Sequence, residues 1–184
     1  MIVGTDLKLV CSSQYRYPPP KLTWFRNTAL VSTNYDTLES KTESDLRFKV
    51  EPTDNNAIFR CESKNEAIDQ PLSTSISLKV LYGPTNVILN GQFEAKINEN
   101  ITVFCASDSS NPKSTLTFIF AGVQYQPDAI ITTNGTNAGV MLNATFSRKV
   151  EASHNDKEIQ CLVENTGAGI KKIITKTVKV FCKY

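Results

Sequence analysis

Cys11-x12-Trp24-Phe25-x35-Cys61 is the stretch that decides how this chain folds, and it returns as Cys105-x12-Phe118-Ile119-x41-Cys161. Two cysteines this far apart, with an aromatic thirteen residues after the first, are the pattern of a sandwich of two sheets. The cysteines sit on facing strands, and the ring on a third strand packs against the bridge between them. The segments around them agree. Leu7, Leu9 and Cys11 alternate with Lys8 and Val10, as a half-buried strand requires, and so do Leu46, Phe48 and Val50 over Asp45–Val50.

The repeat gives the domain organisation and the fold class: all-β, two tandem immunoglobulin-like sandwiches of I-set or C2-like type, expected over 1–82 and 83–184. A chain of 184 residues holds two such domains at their usual size. Expected disulfides are Cys11 with Cys61 and Cys105 with Cys161, with Trp24 and Phe118 as the core aromatics.

Taken in strand order, Leu7–Cys11 reads as strand B, Leu22–Phe25 as C, Asp45–Val50 as E and Ser73–Leu81 as G. Tyr17-Pro18-Pro19-Pro20 cannot donate ladder hydrogen bonds, so the chain crosses between sheets there. From Arg26 to Ser44 the sequence is polar and turn-rich, with Leu30-Val31 as a short edge strand. Only ten residues precede Cys11, while twenty lie between Pro84 and Cys105, so strand A of the first domain is expected to be truncated or missing.

The second domain repeats the plan with A over Thr85–Leu89, B over Ile101–Cys105 and C over Leu116–Phe120. Strands E, F and G follow over Asn143–Val150, Glu158–Glu164 and Ile173–Phe181. Arg148 falls on the inward parity with Phe146 and Val150, so its head is expected to reach out to the sandwich end. The junction Val80-Leu81-Tyr82-Gly83-Pro84 contains no Gly/Ser tract, which predicts a semi-rigid spacer.

Composition narrows the function classes. Lys plus Arg number 20 against 18 Asp plus Glu, a balance that suggests neither nucleic acid nor an acidic membrane as partner. Five cysteines against one histidine favour an oxidising compartment. Three acceptor triplets, starting at Asn100, Asn134 and Asn143, place the chain outside the cell as a glycoprotein. All three lie in the second domain, which leaves the first as the better candidate for protein contact. No apolar run is long enough for a membrane helix and no signal peptide is evident, so the chain reads as a fragment of a longer secreted or membrane-anchored protein.

No catalytic, cofactor-binding or metal site is expected. His154 sits in a polar turn without a nucleophile motif beside it, and the cysteines are better used in the cores. Cys182 is the odd cysteine, either a free thiol at a domain junction or an intermolecular bridge. Lys171, Lys172, Lys176, Lys179 and Lys183 read as a guard against edge-to-edge strand pairing, with a heparin-like partner as the alternative.

Tyr17-Pro-Pro-Pro-Lys-Leu-Thr-Trp24 and Ser110-Asn-Pro-Lys-Ser-Thr-Leu-Thr-Phe118 resemble the signature that leads into strand C of nephrin-type adhesion receptors. Cys61-Glu-Ser-Lys-Asn-Glu-Ala67, Pro71-Leu-Ser-Thr-Ser-Ile76 and Val80-Leu-Tyr-Gly-Pro84 are similar to that family's F strand, G strand and linker. The resemblance is to an inner pair of domains from an invertebrate member of the Hibris or Sticks-and-stones kind.

It implies the ectodomain of a single-pass plasma-membrane receptor that meets another immunoglobulin-superfamily receptor on an apposed cell, in synapse placement, myoblast fusion or filtration-slit building. Contact would be made mainly by domains outside this fragment. Phe118 in place of Trp departs from the pattern. Two rival readings are the ligand-binding ectodomain of a signalling receptor and a pair of intracellular muscle-type structural domains.

Overall fold

The computed structural model describes residues 1–14 and 17–181, so the expectations for Cys182 and Lys183 lie outside the described residues. The chain divides into two compact units, Met1–Val80 and Leu81–Tyr184. The division falls two residues before the position expected from sequence. Tyr82 explains the difference: its buried hydroxyl donates to the Thr136 carbonyl at 2.8 Å, which makes it a core residue of the second unit.

The first unit contains β1 (Asp6–Gln14), β2 (Lys21–Arg26), β3 (Ala29–Ser32), β4 (Asp36–Thr37), β5 (Lys41–Lys49), β6 (Ile58–Lys64) and β7 (Leu72–Ser77). One sheet has the order β1-β5-β4 and the other β3-β2-β6-β7. The apolar parity read from the sequence faces inward: Leu22, Trp24, Phe59, Cys61 and Val50 are buried, with Leu7, Leu9, Leu46 and Phe48 packed against them. Leu30-Val31 lies on the edge strand β3, which pairs only with β2.

The second unit contains β8 (Val87–Gly91), β9 (Glu94–Lys96), β10 (Asn100–Ser110), β11 (Thr115–Phe120), β12 (Val123–Tyr125), β13 (Ala129–Asn134), β14 (Val140–Lys149), β15 (Glu158–Asn165), β16 (Ile170–Thr177) and β17 (Lys179–Phe181). Its sheets have the orders β13-β14-β10-β8 and β12-β11-β15-β16, and β17 pairs parallel with β9. The strand read as continuous over Ile173–Phe181 is therefore two strands. After Thr177 the chain leaves β15 and takes β9 as its partner.

The first unit has no counterpart of β8 among the described residues, but the turn that leads into β10 has a counterpart leading into β1. Gly4 N donates to Val50 O at 2.8 Å and Val50 N to Thr5 O at 2.9 Å. In the second unit Asn98 N donates to Val150 O at 2.8 Å and Val150 N to Glu99 O at 2.9 Å.

Two asparagines six residues before the second cysteine tie each sandwich shut. Asn55 Oδ1 accepts from Val80 N at 3.0 Å, and Asn155 Oδ1 from Val180 N at 2.9 Å. Two more, four residues after that cysteine, hold the proline turns: Asn65 Nδ2 donates to Pro18 O at 2.9 Å, and Asn165 Nδ2 to Pro112 O. These side chains supply partners to backbone groups at the sandwich margins.

Candidate interaction face

The cysteine and aromatic positions come together as two matched centres. Cys11 and Cys61 form one disulfide with a Cα–Cα distance of 6.4 Å, and Cys105 and Cys161 the other at 6.3 Å. Trp24 stands directly across the ladder from Cys61, and Phe118 directly across from Cys161.

The register also accounts for the substitution at Phe118. Trp24 Nε1 donates to Ser44 Oγ at 3.2 Å, and Ser44 is the ladder partner of Cys11. In the second unit the ladder partner of Cys105 is Ala144. The indole donor and its acceptor are thus both replaced by apolar groups, so neither change leaves the partner of the other buried and unpaired. The volume lost is regained one ladder step away. Leu46, opposite Leu9, corresponds to Phe146, opposite Val103. The Phe146 ring stacks on Phe118 with centroids 5.0 Å apart.

Arg148 reaches outward as its parity requires. Its guanidinium lies over the Phe146 ring at 4.6 Å and the Tyr125 ring at 5.1 Å, and Nη1 bonds Asp128 at 2.7 Å. The Arg148 hydrogen bond holds the Asp128 carboxyl below the ordinary carboxylate range. His154 closes a turn: its Nδ1 accepts from Glu151 N at 3.0 Å, and its ring lies 4.9 Å from that of Phe120.

Of the described lysines on the last strands, Lys171 pairs with Glu164 at 3.1 Å, Lys179 with Asp156, and Lys172 donates to Thr85 O. Lys171 and Lys172 lie on β16, the edge strand of its sheet, and Lys179 on β17, and these three heads are engaged with the unit's own groups.

The three acceptor asparagines are all exposed, and all belong to the sheet β13-β14-β10-β8 of the second unit. Asn100 opens β10, Asn134 ends β13 and Asn143 is in mid-β14. Asn143 is next to Ala144, the ladder partner of Cys105, but on the outward face of the sheet.

A concave surface in the first unit carries no signal of its own in the core pattern of the sequence. A groove of about 460 Å³ is lined by Pro18, Pro19, Lys21, Phe25, Glu62 and Lys64, with Thr23, Asn65 and Glu66 completing it. Its floor is the outward face of β2 and β6. Lys21 is opposite Lys64, Thr23 opposite Glu62, and Phe25 opposite Arg60. The Arg60 guanidinium covers Phe25 at 4.6 Å and is paired with Glu62.

Two lysines directly opposed on one face repel each other, a cost that no side-chain ion pair relieves among the described contacts of either lysine. The two ammonium groups are beside the prolines and the Phe25 ring, with Glu62, already paired with Arg60, and Glu66 on the same lining. The spot between the lysines suits an acidic side chain carried on a protein surface. The available signal in the sequence was the odd-numbered parity Lys21, Thr23, Phe25, complementary to the buried one.

Comparison with known proteins agrees with the geometry. Residues 2–71 match the family model of the CD80-like C2-set immunoglobulin domain. Nephrin of Rattus norvegicus is 28% identical over 160 residues, 86% of this chain and 13% of nephrin. Nephrin of Homo sapiens is 30% identical over 152 residues, 80% of this chain and 12% of nephrin. The chain therefore spans about an eighth of the length of these relatives. Among solved structures, Rst D1-D2 superposes with a TM-score of 0.68 at 16% identity, covering 99% of this chain and 93% of the other, a likeness of fold.

Proposed function

We propose that this nephrin-like pair of immunoglobulin domains is part of the ectodomain of a cell-surface adhesion receptor. The pair serves as spacer and interaction module in heterophilic contact between cells. The observation that carries the reading is the combination of two disulfide-centred sandwiches with nephrin similarity running across both units. The receptor is anchored in the plasma membrane outside this stretch, and its partner is another immunoglobulin-superfamily receptor on the apposed cell. The main contact belongs to domains outside this chain, and the Lys21/Lys64 groove adds a secondary one.

Cells displaying the parent ectodomain, mixed with cells displaying the partner, test this. Excising the pair is expected to reduce mixed aggregation strongly. Lys21→Glu with Lys64→Glu is expected to reduce it partly, because reversing a rim charge slows association more than it abolishes binding. Aggregation unchanged by excision would overturn the proposal.

A further inference from the structure

The sheet β13-β14-β10-β8 of the second unit turns an apolar face to solvent. Residues directly opposite one another in an antiparallel ladder point to the same side of the sheet. The registers give one row as Ile88–Ala106–Asn143–Ile131 and the next as Asn90–Phe104–Thr145–Ala129. Leu89, Cys105 and Ala144, the alternating neighbours, are buried, so both rows face outward. In them Ile88 is 53% exposed, Phe104 47% and Ile131 64%, and Met141, two residues before Asn143 on the same side, is 38% exposed.

Clustered apolar exposure of this kind on a folded domain marks a surface that something covers. The edge strand β13, Ala-Ile-Ile-Thr-Thr-Asn, has no charge and no proline, unlike the lysine-rich β16 on the other sheet. Asn143 stands in the centre of this face, flanked across the ladder by Ala106 and Ile131, and its acceptor triplet is completed by Thr145 on the same side.

We infer that the N-linked glycan on Asn143 is the cover. The first N-acetylglucosamine presents a face of C–H groups and an acetamide methyl, which pack on Phe104, Ile131 and Met141. Its hydroxyls stay in water, so apolar area is buried without burying unpaired polar groups. The inference rests on the extracellular reading above.

The chain, secreted from a host that leaves high-mannose glycans, is first mapped site by site with glycopeptide mass spectrometry. The folded protein is then trimmed by an endoglycosidase to one sugar per site, or stripped completely. An apolar fluorescent dye and sedimentation velocity provide the readout. The trimmed protein is expected to behave as the untrimmed one, while the stripped protein binds several-fold more dye and self-associates. Asn143→Gln and Thr145→Ala are expected to reproduce stripping, and Asn100→Gln is not.

Glycan at Asn100 or Asn134 with none at Asn143, or stripping that changes neither dye binding nor sedimentation, overturns this inference and leaves the extracellular reading intact. No glycan at any of the three sites overturns both. Stripping acts on protein already folded, so a variant that fails to fold does not obscure the result.

Discussion

Phe146→Ala is expected to destabilise the second unit by about 3–5 kcal/mol, the range for truncating a fully buried phenylalanine in a core that cannot collapse around the gap. Phe146 is 0% exposed, stacks on Phe118, meets Phe120 edge-on at 6.2 Å and Tyr125 at 5.4 Å, and carries the Arg148 guanidinium on its face. Urea unfolding separates this effect from the first unit, because Trp24 is the chain's one tryptophan. The far-UV transition of the second unit should move to lower urea while the tryptophan transition stays in place. A tryptophan transition that moves by the same amount would contradict an effect local to the Phe146 core.

The same core makes a sharper expectation. Phe118, Ala144 and Phe146 are in the places held in the first unit by Trp24, Ser44 and Leu46. Phe118→Trp alone should overpack the second unit and cost about 1–3 kcal/mol. Adding Ala144→Ser and Phe146→Leu supplies the indole with its acceptor and with room, and should recover most of the loss. Costs that simply add across the three changes would mean that the sites are independent.

The second large effect is removal of the Cys105–Cys161 bridge. It closes a loop with a sequence separation of 56. On the chain-entropy view, opening a loop of this length costs about 4 kcal/mol through the unfolded state. With both cysteines replaced by alanine, the second unit is expected to unfold at much lower urea, again with the tryptophan transition unmoved. A loss well below 1 kcal/mol would show that the core, and not the bridge, holds this sandwich together.

Much of this was legible in the sequence because it rests on alternation and spacing. Strands B, C and E of the first unit and B, C and F of the second, like β6, have apolar residues at alternate positions, and E of the second unit departs from this at Arg148. The cysteine spacing indicated which strands face each other. What escaped notice was inward-facing but polar, or lay outside the regular ladders. Strand β5 starts at Lys41 and not at Asp45, because Thr42 and Ser44 are buried in positions where alternation looks for hydrophobic side chains. β10 continues to Ser110 for the same reason, with Ser107 and Ser109 inward.

Tyr82 read as linker because nothing in its neighbourhood announces that its hydroxyl is seated on Thr136, fifty-four residues away. Gly139 reports that contact indirectly: a Cβ there would come within 2.2 Å of the Tyr82 hydroxyl. The break between β16 and β17 depends on a parallel partner distant in sequence. The groove on β2 and β6, and the apolar face around Asn143, are both made of residues on the outward parity, where alternation carries no core signal.

The function proposed above requires an oxidising, extracellular setting for these two bridged domains. Intact mass of the secreted chain before and after glycan removal, with thiols counted on the denatured, unreduced protein, tests it most directly. With five cysteines in the sequence and two bridges, glycan mass together with one free thiol is the expected result. Five free thiols and no glycan would contradict it and favour the intracellular structural reading.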